Sequence, residues 1–231
     1  MKNLLLASSA LLIATGAQAQ EPVYDWSGYY VGVQAGYAHS SANFRGGAVV
    51  SDGGYGEDGF AGGVHAGHDW QNGRWVSGFV ADFDYLGIDE VRFGGSEGIP
   101  EFFGKAEDYA YDIDWVASAR MRAGITTTDR MLVYGTAGFA IAQIDASSVG
   151  GDFDFIEGSS FASRSEKDVK FGAALGLGLE YALTPNWSTR AEYLHYSFEK
   201  VSLDQGSGPS AGSGSFRPEL DTVKFGISYR F

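Results

Sequence analysis

The chain has 231 residues, a formal net charge of −13, no cysteine and five prolines. The lack of cysteine excludes disulfides and thiolate metal sites, and the acidic balance argues against a nucleic-acid partner, because phosphate binding needs a basic surface. The 34 glycines, 16 phenylalanines, 13 tyrosines and 5 tryptophans favour strands and turns over helices.

The first 19 residues have the pattern of a secretory signal peptide. Lys2 precedes an apolar run from Leu4 to Ala14, and Ala17-Gln18-Ala19 supplies a cleavage site. The run is too short to span a bilayer, and the rest of the sequence has no apolar run long enough for a transmembrane helix. We therefore predict an exported protein with a signal peptide over 1–19 and one mature domain over 20–231.

Apolar and polar residues alternate in eight segments of the mature domain, and this period of two predicts β-strands. The clearest segment has apolar residues at odd positions from Tyr111 to Ile125, with Asp112, Asp114, Arg120 and Arg122 among the residues of the other face. Between the second and third segments, Asn72-Gly73 is a strong hairpin signal. The predicted strands are 29–37, 60–70, 75–85, 109–125, 131–144, 168–183, 187–198 and 223–231.

Long and short connections alternate strictly between these strands. The long ones are four loops rich in Gly, Ser and acidic residues, at 40–58, 88–108, 145–167 and 199–220. This rhythm places all long loops at one end, as in outer-membrane barrels with short periplasmic turns and long extracellular loops. The lumen of eight strands cannot hold dozens of large apolar side chains, so we predict that the apolar face meets lipid. The predicted fold is an all-β, eight-stranded antiparallel up-and-down transmembrane β-barrel.

The other face of the predicted strands carries charged residues that would point into the lumen. Charges in a low-dielectric interior need partners, so we predict a salt-bridge network that fills the lumen. A narrow ion path is the alternative. The predicted inward charges are Asp82, Asp84, Arg120, Arg122, Lys170, Glu180, Arg190, Glu192, Lys224 and Arg230.

Several short motifs occur in a fixed order and resemble one family. They are Trp26-Ser-Gly-Tyr-Tyr-Val-Gly, His68-Asp-Trp-Gln71 with Asn72-Gly73, Tyr134-Gly-Thr-Ala-Gly138, Glu180-Tyr-Ala-Leu-Thr-Pro-Asn-Trp187, Arg190-Ala-Glu-Tyr193 and the closing strand 223–231. Together they resemble the small eight-stranded outer-membrane barrels of alphaproteobacteria, the opacity-porin/OmpA-like surface-antigen family. The resemblance implies a location in the outer membrane, among its lipids, and a role as structural surface antigen, small porin or haemin binder.

The resemblance also implies a role for the last strand in biogenesis. Its alternating side chains are similar to the signal that the barrel-assembly machinery reads. The predicted signal consists of Val223, Phe225, Ile227, Tyr229 and Phe231.

The predicted loops carry most of the net charge. The stretches 40–58, 88–109, 145–168 and 199–221 contain 19 acidic and seven basic residues. Such loops would attract cations or a basic host ligand, while the simpler interpretation is that they keep the protein from self-association.

The sequence does not predict a catalytic or metal site. Barrel geometry separates His39, His65, His68 and His195, so no haem or metal site is expected. The G-x-S-x-G match at 208–212 lies in a loop, whereas the hydrolase motif needs a strand before it and a helix after it. We predict a non-enzymatic barrel without cofactors, with roles in envelope integrity and as a surface antigen. The alternatives are a small porin, or a receptor for haemin or a host ligand through the acidic loops.

Overall fold

The computed structural model describes residues 24–45, 55–88, 91–99, 103–154, 160–204 and 213–231. The predicted signal peptide lies outside these residues. The strands are β1 (Gly28–Arg45), β2 (Tyr55–Asn72), β3 (Trp75–Ile88), β4 (Val91–Ile99), β5 (Phe103–Thr128), β6 (Met131–Asp154), β7 (Ser160–Ala182), β8 (Trp187–Phe198), β9 (Val201–Asp204) and β10 (Ser213–Arg230). In the described part of the chain, there is no helix of the length and apolarity needed to cross a membrane.

Eight of these strands close an antiparallel barrel. They pair in the order β1-β2-β3-β5-β6-β7-β8-β10, and β10 pairs again with β1. The two short strands continue the paths of their predecessors: β4 follows β3 along β5, and β9 follows β8 along β10. The predicted eight-stranded antiparallel barrel is therefore confirmed, with two of its eight strand paths interrupted.

The register gives the tilt of the strands. Following paired residues once around the barrel from Tyr29 leads back to β1 at His39, ten residues further along. For a rise of about 3.4 Å per residue and a spacing of about 4.8 Å between strands, this stagger corresponds to a tilt of about 40°. About ten residues of each strand then cross the apolar band of an outer membrane, which is about 25 Å tall.

Short turns connect the strands at the end of the barrel where both described termini lie. At the tip of the Asn-Gly hairpin, Gly73 has a φ of 60°, the left-handed conformation that this turn requires. The amide of Tyr24 donates to the carbonyl of Asp129 (3.1 Å), and the amide of Arg230 donates to the carbonyl of Asn186 (2.8 Å). In an outer-membrane barrel, the end with the short turns is the periplasmic one.

At the opposite end, the strands continue beyond their predicted limits. At this end, β5 pairs with β6 as far as the pair of Phe103 and Asp154, and β1 pairs with β10 as far as Arg45. The predicted boundaries of the four loops at 40–58, 88–108, 145–167 and 199–220 were therefore wrong. Alternation ends where outward side chains leave the apolar band, but backbone hydrogen bonds between strands do not depend on that pattern.

A second correction concerns the outer half of β5. The register shifts by one residue between Ile113 and Trp115, and such a bulge reverses the facing of the residues beyond it. Tyr111 and Ile113 are consequently buried in the lumen, whereas the prediction placed them on the lipid-facing surface. Asp112 and Asp114, predicted to point inward, lie on the outer side.

The outer surface carries an apolar band with aromatic residues at both edges, as outer-membrane barrels do. The aromatic side chains at both edges are exposed on the outside of the barrel. Tyr29, Trp70, Trp75, Tyr181, Trp187 and Phe231 lie near the periplasmic turns, and Tyr37, Phe60, Tyr85 and Phe171 lie near the other edge.

Candidate functional site in the barrel lumen

Three layers of side chains fill the lumen. The periplasmic layer is a cluster of Tyr24, Trp26, Val76, Leu132, Tyr134 and Ala182. The middle layer is charged. The extracellular layer is apolar and includes Tyr111, Ile113, Leu194, Tyr196, Phe216 and Leu220. The predicted filling of the lumen by salt bridges thus describes its middle layer, whereas large apolar side chains close its extracellular part.

The middle layer contains a charge-balanced network of buried side chains. Its acidic members are Asp69, Asp82, Asp84, Glu180 and Glu192, and its basic members are Arg120, Arg122, Arg190, Lys224 and Arg230. Five carboxylates thus face five cations in the described part of the lumen. Buried charges are tolerated only when they are paired, and this balance leaves the described middle layer without net charge.

Arg122 and Arg230 organise the periplasmic side of the network. The Asp69 carboxylate accepts from Arg122 Nη1 at 3.1 Å and from Arg230 Nη2 at 3.0 Å through the same oxygen, Oδ2. Arg122 also donates to Glu180, whose other oxygen accepts from Ser188 Oγ. Each of these charges therefore has a partner on a different strand.

Aromatic rings enclose the guanidinium of Arg122. It lies 3.8 Å from the ring centroid of Tyr134 and 5.7 Å from that of Tyr30. A Cβ at Gly178 would lie 2.4 Å from the side chain of Tyr134, and a Cβ at Gly67 would lie 2.4 Å from that of Tyr30. The inward glycines therefore provide the space that the large rings occupy.

Arg120 organises the extracellular side of the network. It donates to Asp82 and to Glu192 Oε1 (2.9 Å), and also to the hydroxyls of Ser118 (2.9 Å) and Thr136 (2.8 Å). All four of these hydrogen-bond acceptors of Arg120 thus lie in the lumen.

A third group of contacts involves strands near the β1–β10 seam. Lys224 donates to Asp84, which also accepts from Gln34 Nε2 at 2.7 Å. Gln34 in turn accepts from Arg190. Its amide thus connects an acidic and a basic member of the network.

The structure brings nine of the ten predicted inward charges together and leaves one apart. Lys170 lies at the extracellular edge and donates to Asp168, whose side chain is 49% exposed. Sequence reasoning omitted Asp69 from the network, although it shares a face of β2 with His65 and Gly67. His65 is buried as well, with Nε2 2.8 Å from Ser228 Oγ.

The segment before β1 forms a plug that the sequence did not predict. Trp26 is fully buried, and its amide donates to Gln71 Oε1 at 2.8 Å. Its carbonyl accepts from Arg230, and its ring lies 4.6 Å from that of Tyr24. Residues 24–27 thereby cover the periplasmic mouth of the barrel.

Charged groups also occur on the outside, beyond the apolar band. The nearest approach to a metal site among the described residues is the group Asp112, Asp114 and Asp145, whose carboxylate oxygens lie within 4.8 Å of one another. Lys167 Nζ binds Asp114 at 3.0 Å and Asp145 at 2.7 Å. Its ammonium supplies a positive charge at this position.

A closed antiparallel barrel with a lipid-facing apolar band is the architecture of outer-membrane barrel proteins. The chain belongs to the family described as outer membrane protein beta-barrel domain, whose model matches residues 7–231. This confirms the predicted family and the predicted location in the outer membrane.

Relatives and solved structures of the same kind are known. The chain is 32% identical to the 31 kDa outer-membrane immunogenic protein of Brucella melitensis, with both chains covered in full. It is 30% identical to the 22 kDa outer membrane protein of Rhizobium leguminosarum, over 91% of this chain and 81% of that one. Among solved structures, Ail of Yersinia pestis is 19% identical, with a TM-score of 0.40 over 89% of this chain and 99% of Ail. OprG of Pseudomonas aeruginosa is 13% identical, with a TM-score of 0.48 over 90% and 98%.

Proposed function

We propose that the protein is a non-conducting, non-enzymatic barrel that supports envelope integrity and holds its extracellular segments at the cell surface. The observation that carries this proposal is the filling of the lumen. A network of five carboxylates and five cations lies between two apolar layers. An ion crossing this path would have to displace paired charges and then pass a layer of mainly apolar side chains, and both steps are costly.

Two further observations support a role at the surface. Relatives that match over their full length carry names that describe them as outer-membrane immunogenic proteins. At the end opposite the short turns, the strands of this chain extend beyond the apolar band toward the segments that connect them. We propose by analogy that these segments are the surface antigen.

Conductance of the purified, refolded full chain in planar bilayers tests the closed lumen. We expect no steady openings at any applied voltage, while a porin measured in the same bilayers gives regular steps. Folding is checked beforehand by the shift in gel mobility between heated and unheated samples. Steady openings in the nanosiemens range would support the small-porin alternative.

A receptor role for the extracellular segments is the second candidate, and their charge favours it. Most of the protein's net charge lies in these stretches, and Glu57, Asp58, Asp168 and Glu199 are exposed there. A basic host ligand would then bind less tightly as salt is raised, because exposed charges are screened within about 10 Å at 0.1 M salt. Binding that is independent of salt would contradict this electrostatic mode.

A further inference from the structure

A groove of about 730 Å³ runs along the outer wall of the barrel. It crosses strands β2 to β8 and is almost entirely apolar. Its floor is formed by small outward residues on neighbouring strands: Ser77, Ala123, Gly135 and Ala137. Its walls are formed by Trp70, Met121, Leu175 and Leu177, and Tyr193 and His195 border its extracellular end.

The register explains why the wall recedes here. Ser77 pairs with Ala123, and Ala123 pairs with Gly135. Met121 and Leu175, the neighbours of Ala137 on β5 and β7, are 76% and 57% exposed and project beside it. Large side chains therefore flank a row of residues with very small side chains. Each of these has at most a single carbon atom, apart from Ser77, which adds a hydroxyl.

The extracellular end of the groove is polar. His195 Nδ1 lies 2.9 Å from Asp221 Oδ1, and the hydroxyl of Tyr193 donates to the same oxygen at 2.5 Å. His195 lies eight residues beyond Trp187 on β8, which corresponds to about 20 Å along the barrel axis at the tilt given above. The polar end is therefore near the outer edge of the apolar band, at the depth where lipid tails meet their headgroups.

We propose that this groove binds one acyl chain of an outer-leaflet lipid, with the headgroup at Asp221 and His195. The groove is continuous with the lipid-facing band, so its occupant is hydrocarbon. The Asp221 carboxylate accepts hydrogen bonds and repels phosphate, so it selects a headgroup that presents hydroxyl donors and carries no phosphate, as a phosphate-free saccharide lipid does. A carboxylate at this depth is costly unless hydrogen-bonded, and a lipid hydroxyl would add to the donors it already has.

Native mass spectrometry of the full chain tests this site. The protein is refolded with an equal mixture of lipid A, which carries phosphates on its sugars, and lipid A from which the phosphates have been removed. It is purified in mild detergent, and the lipids retained per barrel are counted. Ala137→Leu fills the floor of the groove. Ala35→Leu is the matched control, since Ala35 is outward and exposed on β1, away from the groove. Asp221→Asn removes the charge of the polar end and leaves its shape.

The wild type and Ala35→Leu are expected to retain one dephosphorylated lipid A per barrel. Retention by Ala137→Leu is expected to fall about tenfold, and retention by Asp221→Asn by a smaller factor. Loss of lipid from the wild type, retention of the phosphorylated lipid A in place of the dephosphorylated form, or equal retention by the two leucine variants would overturn the proposal. An unchanged Asp221→Asn variant would overturn the assignment of the headgroup. Conductance is not part of this test, so the groove and the closed lumen can fail separately.

Discussion

Arg230 on the last strand and Asp69 on the second strand form a buried ion pair of 3.0 Å, although 161 residues separate them in sequence. The same guanidinium donates to the carbonyls of Trp26 and Gly28, and it lies 5.6 Å from the Trp26 ring. One side chain thus connects the plug, the β1–β10 seam and the charged layer. These contacts exist only when the barrel is closed, because they join its first, second and last strands.

Replacing Arg230 should therefore destabilise the closed barrel strongly. We expect Arg230→Ala to lower the free energy of unfolding by about 3–5 kcal/mol, since it leaves Asp69 buried with one cation fewer. The measurement is urea unfolding in lipid vesicles, followed by gel mobility. Lys170→Ala is the control, because that lysine lies outside the network and binds a half-exposed carboxylate; its effect should stay within about 0.5 kcal/mol. Equal effects of both substitutions would contradict the role of Arg230.

The plug should contribute to stability through the same guanidinium. We expect Trp26→Ala to cost about 3–5 kcal/mol, as for other fully buried tryptophans. Trp187→Ala, at a lipid-facing position of the periplasmic edge, is the control and should cost less. Because Trp26 and Arg230 are in contact, the double variant with Arg230→Ala should be less destabilised than the sum of the two single variants. Strict additivity would show that the plug and the seam are independent.

Alternation in the sequence predicted the side chains that face lipid, and its failures have physical causes. The pattern is a property of the apolar band, so it could not report how far β1 or β6 continue in water. The bulge between Ile113 and Trp115 shifts the register without changing the apparent period of apolar residues in the sequence. The prediction that Tyr111 faces lipid was therefore wrong. The signal for Asp69 was present in the alternation of β2. In contrast, the burial of Trp26 depends on contacts with β10, which no local pattern reveals.

The two carboxylates that share Arg120 should be energetically coupled. Either Asp82→Asn or Glu192→Gln alone leaves the guanidinium one carboxylate partner, whereas the double variant leaves none. We therefore expect the double variant to be destabilised beyond the sum of the single variants by about 1–2 kcal/mol. The control pair is Asp82→Asn with Asp69→Asn, because Asp82 pairs with Arg120 and Lys224, whereas Asp69 pairs with Arg122 and Arg230. A coupling of the same size in the control pair would contradict a specific role for Arg120.

Deleting Phe231 separates assembly from stability. Phe231 is 73% exposed on the outside, and the centroid of its ring lies 5.1 Å from that of Tyr229. Its amide donates to the carbonyl of Tyr29 at 3.0 Å. The deletion therefore leaves the lumen layers intact, and the refolded variant should unfold within about 1 kcal/mol of the wild type. If the last strand is the signal for the assembly machinery, insertion into the outer membrane of cells should nevertheless fall severalfold. Deleting one residue between 205 and 212 is the control and should leave insertion unchanged. Normal insertion without Phe231 would refute the prediction that the last strand is the assembly signal. It would not contradict the barrel fold.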